Sequence, residues 1–519
     1  MYTAKIHHNN NSYEYNFEKP VLITDAFLAS GVEHPHPCAG KHTCGKCKVK
    51  VTGDVTKPST DELAFLSNSE VAGDIRLSCF AYMNGDCEIT VSNNNAKILS
   101  GADTDFSSVN NGSQTGIGIA FDIGTTTVVA YLMNLENKRV LHTVCELNAQ
   151  NTFGADVISR IEHSNNNGLA SINDAITNQI NRLTEECCTN TGINVSDIKK
   201  AVITGNTTML HFLTELDPRG IALFPFAPQS LFGDRFKSDK LIFSVSCEIY
   251  LPRCVSAYVG ADITCAIIAC GMKKSKQINS LLCDIGTNGE MALYADNKLI
   301  CCSTAAGPAF EGANIQMGMT ASEGAIDKVY IEDSQIKYTV LGNGKAVGLC
   351  GTGILDAAAV MSTLGIIDET GRLLDYDHSF TDDIIDFEGK QAFLIPNSNV
   401  VVTAEDIRKI QLAKSAICAG ILTLLHDAGC SMDTIDVLYI AGGFGSYLNP
   451  HSVATIGLIP TELVKKAHII GNAAGAGAVM MLLDDKLRTK SHDFTQEMTD
   501  INLSNNPYFM DKYIDCMMF

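Results

Sequence analysis

"GIAFDIGTTTVVAYLMN", residues 118–134, and "SLLCDIGTNGEMALYADN", residues 280–297, decide the fold of this 519-residue chain. Each reads as an apolar strand, an Asp-Ile-Gly-Thr turn and a second apolar strand. An internal repeat fixes architecture before any other detail, and this one predicts two similar halves facing each other. A glycine turn between strands exposes backbone amides and hydroxyls that can cradle phosphate, while the aspartate ahead of it can hold Mg²⁺ through water. From Gly116 onward, buried-type strands ending in glycine-rich turns alternate with helical stretches, which is the pattern of an α/β fold.

A third glycine motif, "VLYIAGGFGSYL" from Val437, completes the constellation. Together the three motifs resemble the actin-like ATPase (ASKHA) superfamily of sugar kinases, heat-shock chaperones and actin. The resemblance implies a duplicated α/β domain whose two lobes close around ATP and Mg²⁺. It places Asp122, Gly124, Thr125 and Thr126 at the terminal phosphates, with Asp284, Gly286, Thr287 and Asn288 meeting them from the other lobe and Gly442 and Gly443 near adenosine. Further glycine turns lie in "AVITGNTTMLHF" from Ala201, "STAAGPAFEGANI" from Ser303 and "GLCGTGILDA" from Gly348; the first and last are similar in placement to the superfamily's hinge segments. Glu290 and Glu311 are candidates for orienting water, so Asp122, Asp284, Glu290 and Glu311 form the candidate catalytic set, and structural roles for the two glutamates remain open. No Walker pattern, G-x-x-x-x-G-K-[ST], is present.

Upstream, residues 93–115 are dominated by Asn, Ser, Gly and Asp, a linker composition. Such a coil spans about 25 Å on average and up to roughly 80 Å extended, so the domain ahead of it has room to swing. Residues 1–92 carry short alternating runs such as "KCKVKV" and "CEITVS" between turn signals, which predicts a small β-rich domain. Within it, Cys38, Cys44 and Cys47 follow C-x5-C-x2-C, with Cys79 at a distance. A tight thiolate loop plus one remote cysteine is how ferredoxins hold a [2Fe–2S] cluster; the plant pattern has four residues in the first gap, and the fifth here resembles the adrenodoxin-like branch. Gly40 and Gly45 give the loop backbone freedom. Zinc is the rival metal, although zinc ribbons bring two paired knuckles. Cys87 competes for the fourth position, but "RLSC" followed by a turn and "CEITV" resembles a ferredoxin ending, which puts Cys87 in a closing strand. His34 and His36 suggest a Rieske centre, which the three nearby cysteines disfavour. The pairs Cys187/Cys188 and Cys301/Cys302 are expected to be core or surface thiols.

A ferredoxin-like (β-grasp) domain joined to an actin-like ATPase resembles the reductive activators of corrinoid-dependent methyltransferases. The resemblance covers nearly the whole chain, through the cluster loop, both DIGT turns, "GPAFEGANI" and "AGGFGSYLNP". It implies three parts: a [2Fe–2S] domain over 1–92, a linker over 93–115 and a two-lobed ATPase over 116–519. The implied activity is ATP-dependent reduction of a corrinoid protein from cobalt(II) to cobalt(I). Because the cobalt couple of the resting partner lies below the cluster, ATP must tip the balance. The implied partners are a corrinoid protein and an external low-potential electron donor, and a homodimer is compatible with the family. Longer members carry a small domain between ferredoxin and ATPase, so the linker alone between Ser92 and Gly116 marks a short variant. A branch with cysteine-rich C-terminal clusters is excluded, because only Cys516 follows Cys430.

Composition agrees with these expectations. A formal charge of −20 disfavours nucleic acid and anionic lipid as partners. The N-terminus lacks the apolar core of a signal peptide and no apolar run approaches the roughly 18 residues of a membrane span, which predicts a cytoplasmic protein without membrane attachment. Nineteen cysteines in that compartment are metal ligands and buried small hydrophobes rather than a disulfide framework. Three other functions fit parts of the pattern: a small-molecule kinase carrying a redox domain, another kind of ATP-driven electron-transfer activator, and a non-enzymatic redox sensor with the actin-like lobes as a binding module.

Overall fold

Along Tyr2–His8 apolar and polar residues alternate, and Ala4 and Ile6 are fully buried, so the segment is a strand with one core face. It belongs to the first of two compact units, residues 1–95 with 147–176; the second comprises 96–146 with 177–519. The structure, a computed structural model, describes residues 1–8, 11–32, 34, 42, 45, 47–66, 68–91, 106–110, 112, 114–237, 245–272, 278–376, 379–442 and 448–519. Much of the expected linker, together with Cys38, Gly40, Cys44, His36 and Gly443, lies outside these residues.

In the first unit, Tyr2–His8 pairs antiparallel with Asn11–Phe17 and parallel with Tyr82–Thr90. Lys48–Val55 flanks the latter strand and Ile75–Leu77 follows at the edge. Helix Ile23–Ser30 packs Ile23, Ala26 and Phe27 against Ala4, Ile6, Val49, Met83 and Ile89. It stops at Gly31, whose φ of 65° lets its N–H reach the Leu28 carbonyl while Val32 N–H bonds that of Phe27. A mixed sheet wrapped on one helix is the β-grasp arrangement expected from the sequence. Cys87 lies in the strand Tyr82–Thr90 and in this core, where burial pushes its thiol up to about 11.

In the second unit the repeat becomes two matching six-stranded sheets. Ile117–Ile123 pairs antiparallel with Thr127–Asn134, which neighbours Arg139–Leu147; on its other side runs parallel Ile198–Gly205, then parallel Glu248–Leu251. Ser280–Ile285 pairs antiparallel with Gly289–Ala295 and that with Lys298–Thr304, while parallel Val437–Ala441 and Ala467–Gly471 extend the other side. The correspondence reaches single atoms. A Cβ on Gly205 would meet the Ile123 carbonyl oxygen at 2.6 Å, and one on Gly442 would meet that of Ile285 at 2.3 Å. Both glycines have positive φ, 159° and 128°, at the strand end beside a DIGT turn.

Each half sends a helix back between the sheets, Ala261–Cys270 and Ala473–Leu483. The second begins "AAGAGAV", and a Cβ on Gly477 would stand 1.9 Å from the Cys265 carbonyl oxygen. Without a side chain there, the helices touch backbone to backbone. Cys301 and Cys302 occupy one strand and alternate faces, joining two different apolar cores. Cys187 and Cys188, in helix Ala170–Thr191, are buried as well.

Candidate functional site

The two DIGT turns open onto one cavity of about 420 Å³ in the second unit. Asp122, Gly124, Thr125, Thr126, Asp284, Gly286, Thr287, Asn288, Glu290, Glu311 and Gly442 all line it, so every described residue of the expected nucleotide site is brought together. In each half the strand carries its aspartate to the rim, and the turn closes by Gly124 N–H donating to the Thr127 carbonyl at 2.9 Å, or Gly286 N–H to that of Asn288 at 3.0 Å.

The turns are tied across the cavity. Thr126 and Thr287 hydroxyls lie 3.1 Å apart, and Glu311 accepts from Thr287 at 2.9 Å and from Thr126 as well. Glu311 is delivered by the short helix Pro308–Glu311, which ends at Gly312 with φ 78°. A carboxylate bridging a hydroxyl from each half makes the opposed turns one site.

Three lining residues were not anticipated as binding residues. Asn206 caps helix Thr207–Leu213 and donates through Nδ2 to Thr125 Oγ1 at 3.1 Å. Asn472 caps Ala473–Leu483 and donates to Asp122 Oδ2 at 2.8 Å. Asp262 stands in the first turn of Ala261–Cys270. All three occupy starts of helices that follow parallel strands, where a single polar residue carries no repeat pattern. Asn206 lies in a stretch otherwise similar to a hinge.

Asp122, Asp262 and Asp284 keep some surface toward the cavity yet lie deep in the protein, and burial raises all three. Asp122 rises to about 6, held back by the Asn472 amide; Asp262 rises to about 7, with the Asp122 charge adding to burial; Asp284 rises to about 8 under burial and the charges of Asp262 and Asp122. Glu290 is raised well above its ordinary range by burial and the same three carboxylates. Its Oε1 is buried without a hydrogen-bond partner, and no lysine, arginine or histidine is among the described residues lining the cavity. An orphaned oxygen among four uncompensated carboxylates fits a divalent cation. Among the described residues, no three Asp, Glu, His or Cys side chains are set to grip a bare ion.

In the first unit the structure brings Cys47 and Cys79 together, with Sγ atoms 3.3 Å apart and both residues buried beside Leu66 and Leu77. A tetrahedral thiolate site with metal–sulfur bonds of ~2.3 Å spaces its sulfurs ~3.8 Å apart, so the pair fits a shared metal and Cys87, in the other core, does not join it. Ser78 N–H donates to the Cys47 carbonyl at 2.9 Å and His42 Nε2 contacts that of Cys79 at 2.9 Å. Glu62 secures the approach to Cys79: it takes Arg76 Nε at 2.9 Å and Nη2 at 2.7 Å, plus Leu77 N–H at 2.9 Å, all buried. Breaking a buried ion pair by removing one partner is strongly destabilising, because it leaves the other charge uncompensated. Cys38 and Cys44 lie outside the described residues.

Comparison with known proteins adds identity to this geometry. Residues 6–84 match a 2Fe-2S iron-sulfur cluster binding domain, 117–275 the RACo middle region, and 278–519 the C-terminal domain of RACo, the ASKHA domain. The chain therefore carries an iron–sulfur domain and a nucleotide-binding ASKHA domain. It is 34% identical over 418 residues to the corrinoid activation enzyme RamQ of Eubacterium limosum, spanning 78% of this chain and 70% of that protein. Against the [Co(II) methylated amine-specific corrinoid protein] reductase of Methanosarcina barkeri the figures are 27% over 400 residues, 71% and 70%. A solved reductive activator for corrinoid, iron-sulfur protein superposes with a TM-score of 0.73 at 29% identity, covering 100% of this chain and 98% of that one. The match to the RACo middle region begins at Ile117 and takes in the first DIGT turn. No helix among the described residues is long and apolar enough to cross a membrane. The chain belongs to the family of reductive activators of corrinoid proteins.

Proposed function

We propose that this chain uses ATP to drive one-electron reduction of a corrinoid protein's cobalt(II) to cobalt(I). The observation that carries the reading is the relation to the corrinoid activation enzyme of Eubacterium limosum across 78% of the chain. We divide the chain into a cluster domain over 1–92, a linker over 93–115 and the ATPase over 116–519.

Cys38, Cys44, Cys47 and Cys79 would hold the [2Fe–2S] cluster, which when bound supplies one-electron transfer at about −400 mV in plant-type surroundings. The chain's own contribution is to bury Cys47 and Cys79 in an apolar setting and to fix the Cys79 segment through Glu62 and Arg76. At the other site, the amides and hydroxyls of the two turns would bind the phosphates of ATP, and Asp122 and Asp284 would hold Mg²⁺ through water. Gly442 and Gly443 would face adenosine. We assign water orientation to Glu290, whose Oε1 is unpaired, and alignment of Thr126 and Thr287 to Glu311. Nucleotide can promote the uphill electron transfer only if the lobe arrangement it favours binds the corrinoid protein differently from the nucleotide-free one. On this reading the chain works in the cytoplasm and is recharged by an external low-potential donor.

The test is anaerobic. The iron-loaded chain, a low-potential chemical reductant and the cobalt(II) corrinoid proteins of its own organism's methyltransferase systems are mixed with and without ATP, and the cobalt(I) absorption is followed. ATP-dependent cobalt(I), lost in Cys79→Ser, is expected. An equal yield without ATP would overturn the reading, and transfer of labelled phosphate to a metabolite would replace it with the kinase alternative.

A further inference from the structure

We propose that Leu223, Phe224, Phe226 and Tyr258 form the surface on which the corrinoid protein docks, and that nucleotide sets its affinity through Asn206 and Thr207. The inference rests on the function proposed above and names where that partner binds.

Leu223 is 66% exposed, Phe224 79% and Tyr258 36%. The rings run in a chain, Phe224 edge-on to Phe226 at 5.9 Å and Phe226 to Tyr258 at 5.3 Å. Solvating this much apolar surface costs about 25 cal/mol for each Å² left unburied, and the loop is built to keep it there. Ile221 anchors it in the core, Phe226 N–H bonds the Leu223 carbonyl at 2.7 Å, and a Cβ on Gly220 would collide with the Ala227 carbonyl at 2.1 Å. Phe226 holds φ 57°, a left-handed conformation unfavourable for a bulky aromatic. Strain retained to present an aromatic cluster to solvent points to a binding role. Aromatic side chains are also the residues that dominate protein–protein affinity.

The occupant follows from what the cluster touches. Tyr258 N–H and Val259 N–H both donate to Ser256 Oγ, at 3.3 and 3.1 Å, and the Ser256 carbonyl accepts from Thr207 Oγ1 at 2.6 Å. Thr207 opens the helix capped by Asn206, whose side chain donates to Thr125 of the first phosphate turn. Gly260, at the end of the same loop, packs so closely on Asn206 that a Cβ would stand 2.5 Å from its Cα. A change at the phosphate turn therefore reaches the aromatic loop through bonded and close-packed neighbours. The partner whose docking must respond to nucleotide is the corrinoid protein. Contact between copies of this chain has no such requirement.

The experiment uses the iron-loaded full chain and the cobalt(II) corrinoid protein that the wild type reduces. Phe224→Ser and Leu223→Ser, both at exposed positions, are compared with Ile514→Ser on helix Pro507–Asp515, where Ile514 is 65% exposed. Melting temperature and cluster absorption verify folding. Expected are a rise in Kd of at least ~tenfold for each loop variant and less than about twofold for Ile514→Ser. In the wild type, Kd should differ at least ~fivefold between ADP and a non-hydrolysable ATP analogue, and by linkage the corrinoid protein should shift nucleotide affinity by the same factor. Phe224→Ser binding like wild type overturns the proposal, as does loss of self-association with corrinoid affinity unchanged, which would make the patch an interface between copies. Wild-type chain that neither binds nor reduces a corrinoid protein overturns the functional reading and this inference together.

Discussion

The turns after Asp122 and Asp284 share the sequence Asp-Ile-Gly-Thr and the same strand geometry, yet their carboxyls differ. Asp122 accepts a hydrogen bond from Asn472 and is raised only to about 6, whereas Asp284 faces two other carboxylates and is raised to about 8. In matching positions the two aspartates are thus both raised by burial, Asp284 further than Asp122. Duplication supplied the geometry and local surroundings set the charge. Two equal sites became two unlike halves of one site.

The largest test of that asymmetry is replacement of the aspartates in turn. Asp284→Asn and Asp122→Asn should each lower ATP turnover by roughly 10–100-fold but by different factors, measured as phosphate release with the corrinoid partner present. Equal losses would break the comparison. Next comes the link between the turns. Glu311→Gln keeps the shape but gives up the charge that gathers Thr126 and Thr287, and turnover should fall roughly tenfold, about 1.4 kcal/mol.

Smaller effects sharpen the picture. Asn472→Ala removes the amide that restrains Asp122 and a helix cap usually worth about 1 kcal/mol. Activity should fall several-fold, and the acidic limb of its pH profile should move upward as Asp122 comes to resemble Asp284. The mildest readout is stability. Asp122, Asp262 and Asp284 are all raised, so through them the folded state binds more protons than the unfolded chain between their ordinary value, 3.8, and about 8. Stability is then fully present below that window and is lost as pH rises through it. Without nucleotide, Tm should fall from pH 5 to pH 8. Asp284→Asn should flatten the fall more than Asp122→Asn, and Mg²⁺ with nucleotide should oppose it.

How far the sequence revealed this site depends on which residues carry a pattern. The two DIGT turns repeat, strand periodicity flanks them, and their residues line one cavity. Glu311 was legible from its glycine-bounded motif, although its bridging of two hydroxyls was not, because that contact joins residues 185 apart. Asn206, Asp262 and Asn472 escaped notice because a polar residue at a helix start is the commonest of caps. Only the fold shows that these starts converge on the phosphate turns. In the first unit, resemblance to a ferredoxin ending favoured Cys79 over Cys87, and the structure separates them into different cores. The start of the middle region at Ile117 coincides with the end of the linker composition at Thr115.

The backbone contact between Gly477 and Cys265 bears on how the halves can move. Where side chains separate two helices, rotamer changes can absorb a change in spacing; where main chain rests on main chain, nothing yields. The contact is therefore a rigid spacer rather than a cushion: no rotamer change can take up a shift there, and drawing the two helices apart would open an empty seam.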